Sequence, residues 1–146
     1  MNIFQCRYDE RLKSWYNLRL SIERADPLAR CVAIDSWWQF APLENHYLHV
    51  DSMKDWPTPW ELILENEYCT IARGLGMIYT LMLLGEAELD FVQAKDYNSE
   101  DVTLVVVQNQ WILNYWPNTV ITNKLSDFTN RHSINIDSLK EKFKST

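Results

Sequence analysis

Cys69 is the residue whose type and position could support nucleophilic chemistry in this sequence. It stands where a helical apolar pattern begins, and that pattern runs to about Leu84. A thiol at a helix N-terminus faces unpaired backbone N–H groups and the positive end of the helix dipole, which favour the thiolate. The alternative is a small apolar residue in a protein core. The residues available to act with the thiol must decide between these interpretations.

A cysteine nucleophile needs a base, usually histidine, and a third group that orients the imidazole. The sequence has three histidines, His46, His49 and His132, and none lies in the hairpin predicted after the Cys69 helix. His49 is the candidate for a displaced base, because the loop from Pro42 to Pro57 must pass near the start of that helix. We favour the other interpretation of His49, a loop histidine bonded to backbone.

The histidines also raise the question of a metal site. His46, His49 and Asp51 fall within six residues, but three ligands so close in an irregular loop rarely point inward together, and the sequence suggests no fourth. The three cysteines lack the spacing of a zinc site, and their odd number does not suggest a disulfide framework. We therefore expect no metal and no cofactor.

Four helices are predicted upstream of, or beginning at, the thiol. The apolar period predicts one over residues 8–25, and a second that Asp26 caps and that continues to Phe40. Thr58-Pro59-Trp60-Glu61 is a capping box that begins a short third helix before the one at Cys69. Gly74 and Gly76, inside the fourth, predict a close approach of another element.

Downstream of Gly85 the apolar period changes from helical to strand-like. The runs "LDFVQA", "VTLVVVQ" and "WILNYW" are rich in β-branched and aromatic residues, and a hairpin turn separates the last two. They predict a small antiparallel sheet packed on the Cys69 helix. The tail "DSLKEKFKST" predicts a short charged helix capped by Asp137. The chain, residues 1–146, is thus expected to be one α+β domain.

Composition narrows the class of protein further. The chain of 146 residues is 47% hydrophobic and 13% aromatic, with a formal net charge of −6 and scattered basic residues. This excludes a nucleic-acid-binding stripe, and the absence of a dense acidic run disfavours a nucleic-acid mimic. No apolar run reaches ~18 residues, and charges interrupt the N-terminus. We expect no membrane partner, and a protein located in the cytoplasm or assembled into a phage particle.

Several segments, in their order and spacing, resemble the bacterial transglutaminase-like cysteine proteinases, over about residues 30 to 125. These are "YLHVD" and "DWPTPWELI", then Cys69, then "ARGLGMIYTLMLLG" and "VTLVVVQNQWILNYWPNTVI". In that family a Trp-x-x-Pro-x-Glu segment precedes a Gly-Asp-Cys nucleophile, a His opens a later strand, and Leu-Asp-Asn ends the next strand. The resemblance implies a transglutaminase/papain-like fold, with N-terminal helices and a central Cys-bearing helix packed on the sheet.

Carried over by position, the resemblance places the nucleophile at Cys69, the histidine at Thr103 and the acid at Asn114. Asn can still orient an imidazole, but the Thr103 hydroxyl is too weak a base to take a proton from a thiol. Tyr68 stands where the family has the Asp before the cysteine, and we expect its ring to fill the space beside the thiol.

We therefore expect a catalytically lapsed transglutaminase-like module. It would act as a protein-binding or structural component, in the setting of a phage virion or a host-modulating complex. Trp56, Trp60 and Tyr68 are candidate binding residues, although pinning the loop to the helix is the simpler role for the two tryptophans. The alternative is an active cysteine hydrolase or acyltransferase in which Cys69 works with His49 as a displaced base.

Overall fold

A computed structural model describes residues 2–44, 48–116, 119–122 and 124–145 of the chain. It contains four α-helices, five strands and four short 3₁₀ segments in these residues. The helices are α1 (Tyr8–Ile22), α2 (Pro27–Trp38), α3 (Pro59–Glu65) and α4 (Thr70–Leu83). The strands are β1 (Leu89–Lys95), β2 (Asp101–Val107), β3 (Trp111–Trp116), β4 (Thr119–Thr122) and β5 (Thr129–Ile134). The 3₁₀ segments are Ile3–Gln5, Val50–Asp55, Leu125–Asp127 and Ile136–Ser145.

The predicted helix starts are confirmed at the level of side-chain caps. Asp26 accepts a hydrogen bond from the backbone of Ala29 at the start of α2. Thr58 and Glu61 form the reciprocal pair of the capping box at the start of α3. These bonds satisfy backbone N–H groups that have no partner within the helix, which is why the local sequence fixes the helix starts. α1 and α2 end a few residues before their predicted ends.

The strands form a single antiparallel sheet in the order β4-β3-β2-β1-β5. β1, β2 and β3 are the three predicted runs, whereas β4 and β5 were not predicted. β4 has four residues, and β5 has the sequence "TNRHSI", in which five of the six residues are exposed. Such strands have no apolar alternation of their own, and they exist because they pair with a neighbouring strand.

α4 lies between the sheet and α2, and it is buried on nearly every side. Gly76 faces the ring of Trp38 so closely that an added Cβ would lie 2.5 Å from Cη2, and a Cβ on Gly74 would lie 2.8 Å from Phe91 Cε1. The predicted close approach at both glycines is therefore confirmed. The absence of a side chain at these two positions lets Trp38 of α2 and Phe91 of β1 pack directly against the α4 backbone.

A cluster of aromatic rings joins the N-terminal helices to α4. The indole N–H groups of Trp15 and Trp38 both donate to Thr80 Oγ1, at 2.9 and 3.1 Å. That hydroxyl in turn donates to the Gly76 carbonyl at 2.7 Å. One threonine thus satisfies two indoles that are almost completely buried, which makes the large rings compatible with the core.

Arg11 of α1 supplies an unpredicted connection to α3. Its Nε and Nη2 atoms donate to the Ile63 carbonyl at 3.1 and 2.9 Å, Nη2 also donates to Leu64 at 3.2 Å, and Nη1 donates to the Cys6 carbonyl. The last carbonyls of a helix lack intrahelical donors, so this buried guanidinium closes the C-terminal end of α3.

The C-terminal segment differs from its prediction in type and in cap. Residues 136–145 form a 3₁₀ segment, and it is the side chain of Asn135, not Asp137, that accepts from the backbone at its start. Leu139 is fully buried, and Lys142 Nζ donates to the Lys54 and Trp56 carbonyls at 2.8 Å. The tail thereby fixes the loop before α3. In the part of the chain described, no helix is long and apolar enough to cross a membrane.

Candidate functional site

Cys69 is the N-cap of α4, as predicted, but its side chain is not exposed. Its Sγ atom accepts from the Ala72 backbone N–H at 3.5 Å, and the residue is 1% exposed. Neither imidazole that the structure describes, that of His49 or His132, hydrogen-bonds to the sulfur. The thiol therefore acts as a cap and a core group in this conformation, and no proton acceptor contacts it among the described residues.

Asn114, the residue at the family's acid position, joins three elements. Its Nδ2 donates to the Thr70 carbonyl of α4 at 3.0 Å and to the Thr103 carbonyl of β2 at 2.8 Å. Its Oδ1 accepts from Arg73 Nε at 2.7 Å. The carbonyls require a donor and the guanidinium requires an acceptor, so these partners determine which end of the Asn114 amide is the nitrogen and which is the oxygen. The oxygen that would have to orient an imidazole accepts from Arg73 instead.

Asn114 also has a left-handed backbone, with φ of 67°, and it follows the last regular pair of the β2–β3 ladder, Val105 with Leu113. Asn tolerates this conformation better than most residues. The irregularity places the Asn114 amide against α4, where an added Cβ on Gly74 would lie 2.9 Å from Nδ2. The sequence therefore uses an asparagine and a glycine together to bring β3 and α4 into hydrogen-bond contact.

Asp35 of α2 completes this network beneath the site. It is fully buried, and its Oδ1 accepts from the Asn114 backbone N–H at 3.0 Å and from Gln39 Nε2 at 3.2 Å. Its Oδ2 has no hydrogen-bond partner among the described residues. Burial raises the pKa of Asp35, while the bonds from Asn114 and Gln39 and the charge of Arg73 oppose the rise. Burial likewise lowers the pKa of Arg73.

The pKa of Asp35 predicts how stability depends on pH. Because the folded pKa is raised above that of the unfolded chain, the contribution of this carboxyl is full below the unfolded pKa of about 3.9 and is lost as pH rises through the folded pKa. We expect Asp35→Asn to remove this loss. From acid to neutral pH, the unfolding free energy of the variant should therefore increase relative to that of the parent, as measured by urea unfolding. Asp90→Asn, at an exposed position of β1, is the control, and parallel parent and Asp35→Asn curves would contradict the prediction.

A cleft of about 540 Å³ lies beside the start of α4. Its walls come from the loop before α3, the first turn of α4, and strands β1, β2 and β5; the lining residues include His49, Asp51, Thr70, Ile71, Gln93, Thr103 and His132. Lys95 and Asp101 form an ion pair of 2.9 Å at one side of it. Cys69 does not line the cleft, although Thr70 next to it does.

His132 lies at this cleft, which the sequence did not predict. Gln93 of β1 is paired with Thr103 on one side and with His132 on the other. The three residues therefore form a row across the sheet, with side chains on the same face. Two strand spacings, roughly 10 Å, separate the backbones of His132 and Thr103. The missing signal is β5 itself, because a polar strand gives no apolar period.

Of the other candidate residues, His49 is exposed in the loop before α3, and Trp56 and Trp60 make packing contacts. The His49 carbonyl accepts from Trp56 Nε1 at 2.9 Å. Trp56 is buried, so its role in pinning the loop is supported by contacts, and Trp60 packs edge-on against Phe143 of the tail. His46 lies outside the described residues. Among those described, no group of three His, Cys, Asp or Glu side chains is arranged to hold a metal ion.

The Tyr68 ring, which was expected to fill the space beside the thiol, lies in the aromatic core. The side chain is fully buried, its ring packs edge-on against Phe4 and Trp38, and its hydroxyl donates to the Leu62 carbonyl at 3.4 Å. It does not line the cleft at the start of α4. Tyr68 is therefore a core residue, because the apolar surface of the N-terminal helices attracts the ring more than the polar cleft does. Contact with a partner would require this core to open.

Arg73 and Asp35 are the network residues that sequence reasoning missed. Asp35 was detectable, since a carboxyl within "CVAIDSWW" falls on the apolar side of a helix and must be buried with partners. Arg73 stands beside Gly74 and is the one charged residue of α4. A buried acid on α2 and a basic residue on α4 together indicate an internal polar contact.

Comparison with known structures agrees with this architecture. The chain is similar to LapG of Legionella pneumophila, a bacterial transglutaminase-like cysteine protease, with a TM-score of 0.72 and 16% identity over 88% of this chain and 75% of that one. For an EGTA-treated structure of the same protein the TM-score is 0.68 and the identity is 14%, over 90% of this chain and 80% of that one. No protein-family model and no curated protein matches the sequence. The chain has an α+β transglutaminase-like fold.

Proposed function

We propose that this chain is a non-catalytic transglutaminase-like domain that acts by binding another protein. The observation that carries the proposal is the hydrogen bond of 2.7 Å from Arg73 Nε to Asn114 Oδ1. In a cysteine–histidine–asparagine arrangement that oxygen accepts from the imidazole and holds the ring against the thiol. Here it accepts from a guanidinium, so the position of the third catalytic group serves the packing of α4 on the sheet.

Cys69 and Thr103, the residue at the family's histidine position, support the same proposal. Cys69 is buried and caps its own helix. Thr103 is 3% exposed, and its hydroxyl has too little basicity to generate a thiolate at neutral pH. Each of the three positions thus contributes to a folded core. A domain with this fold and without a working catalytic base would act through contacts made by its surface.

The surface offers apolar groups for such contacts. Phe40, Leu64 and Tyr97 are 57%, 55% and 74% exposed, whereas Trp15, Trp38 and Trp56 are buried. Among the residues whose burial the structure describes, the exposed aromatic rings are those of Tyr and Phe, and Trp37, Trp60 and Trp111 are partly buried. Exposed aromatic groups are common in protein interfaces. The setting in a phage particle or host-modulating complex remains a prediction from the sequence alone.

A specific observation favours one second candidate, an active cysteine hydrolase or acyltransferase. His49 and His132 both line the cleft that Thr70, the neighbour of Cys69, also lines. A rearrangement that turned the Cys69 sulfur into this cleft would bring a thiol and two imidazoles to one space. Either imidazole would then act as the displaced base.

Hydrolysis assays separate the two candidates. The chain is incubated with labelled casein and with a thiol-directed vinyl sulfone, alongside Cys69→Ala and the control Cys6→Ala. We expect no turnover above the Cys69→Ala level and no vinyl sulfone adduct at Cys69 in the native chain. Turnover that Cys69→Ala abolishes and Cys6→Ala keeps would overturn the proposal. Loss of that turnover in His49→Gln or His132→Gln would then identify the base. Circular dichroism of each variant verifies that it is folded.

A further inference from the structure

β5 forms one edge of the sheet, and its outer side is uncovered in the described structure. It pairs with β1 on one side only. Five of its six residues are exposed, and none of its backbone groups is bonded to another described element on the outer side. Unpaired backbone N–H and C=O groups along an edge are a template for one more strand. β4, at the opposite edge, lies in contact with α2.

The usable part of this edge is short. Asn130 has a left-handed backbone with φ of 51°, and the β1–β5 register shifts between Gln93 and Lys95. A bulge of this kind interrupts pairing and limits association with long strands. His132–Ile134 is left as a regular stretch of three residues, with Arg131 at the bulge beside it. An extended segment could form only a few backbone bonds there, and side chains must supply the remaining affinity.

The charge of β5 indicates which side chains a bound segment would carry. No Asp or Glu occurs from Phe128 to Ile136, in a chain whose net charge is −6. Arg131 and His132 are exposed, and among the described residues neither forms an ion pair or a side-chain hydrogen bond. A guanidinium without a partner on an open edge is complementary to a carboxylate on an incoming strand.

We propose that the edge formed by Arg131–Ile134 binds an extended, acidic segment of a partner protein by strand addition. The inference rests on the proposed function, and it names the surface and the chemistry of the partner. Side chains alternate along the added strand. One set lies on the His132 face, at the rim of the cleft next to α4, and the other lies with Arg131 on the opposite face.

The probe is a phage-displayed library of random decapeptides selected on the full chain. Enriched peptides are synthesised and their affinity is measured by fluorescence anisotropy. We expect acidic sequences, bound about tenfold more weakly by Arg131→Glu, because the substitution replaces attraction to the peptide carboxylates by repulsion. The matched control, Arg24→Glu, reverses the charge at an exposed position in the turn after α1 and should bind the peptide as the parent does.

N-methylation of the peptide tests the backbone part of the claim. A paired strand directs alternate N–H groups to its neighbour, so methylation of one alternating set should abolish binding and methylation of the other should leave it intact. Equal loss from both sets, equal binding by Arg131→Glu and the parent, or no enrichment of acidic peptides would each overturn the inference. A dimer that sedimentation detects and that Arg131→Glu dissociates would overturn it in favour of a second copy.

The same samples distinguish this inference from the proposed function. Each peptide is recovered after incubation and its mass is measured. Intact peptide that fails to bind β5 refutes the edge proposal alone. Peptide that is cleaved in a Cys69-dependent manner refutes the non-catalytic function.

Discussion

Asn114→Asp is expected to lower the unfolding free energy by about 3 kcal/mol at pH 7, although it replaces one isostere by another. The Nδ2 group donates to the Thr70 and Thr103 carbonyls, and a carboxylate can donate to neither. Two buried acceptors would then face an oxygen, each at a cost of roughly 1–3 kcal/mol, with partial compensation from the charge of Arg73. Urea unfolding measures the change.

The control for this prediction is Asn17→Asp, at an exposed position of α1, which should change stability by less than about 0.5 kcal/mol. The result bears directly on function, because Asp is the residue that the family resemblance implies at position 114. A variant as stable as the parent would mean that the site tolerates the catalytic acid. The assignment of Asn114 to packing would then be wrong.

Arg11→Met is expected to have the larger effect, a loss of about 4 kcal/mol. It leaves the Ile63, Leu64 and Cys6 carbonyls without the donors that Arg11 gives them, and bonds to a charged donor contribute roughly 1.5–3 kcal/mol each before the retained apolar packing offsets the loss. α3 has only seven residues, so its C-terminal end depends on this cap.

Arg7→Met tests whether position, and not charge, causes the effect. The side chain of Arg7 is 78% exposed and pairs with Asp9 and Glu10 at the surface, where ion pairs contribute little. Thermal unfolding should show a large decrease in Tm for Arg11→Met and almost none for Arg7→Met. Similar decreases in both variants would show that Arg11 acts through the net charge of the helix.

Local signals explain which parts of this fold were predictable. The capping box at Thr58, the N-cap at Asp26 and the β-branched runs of β1, β2 and β3 are short patterns whose physical basis lies within a few residues. Cys69 was correctly placed at the start of α4 because the helical period begins there. The resemblance in order and spacing then predicted the α+β transglutaminase-like fold.

The features that escaped prediction depend on partners distant in the chain. β5 becomes a strand because β1 pairs with it, and Arg11 becomes a cap because α3 ends beside α1. The bond between Arg73 and Asn114 joins residues 41 positions apart. The sequence pattern can indicate that an internal polar contact exists, but it does not predict which residues form it. For the same reason the contacts of the Tyr68 ring with Phe4 and Trp38 were not predicted.

The alkylation rate of Cys69 tests the central claim most directly. The native chain and the urea-unfolded chain are treated with iodoacetamide between pH 6 and 9, and the labelled peptides are quantified by mass spectrometry, with Cys6 and Cys31 as internal references. The buried, capping position predicts that Cys69 reacts at least about 100-fold more slowly in the native chain than in the unfolded one. Native labelling of Cys69 that is faster than in the unfolded chain near neutral pH, and that His49→Gln or His132→Gln suppresses, would show a thiol with a working base and would contradict the account.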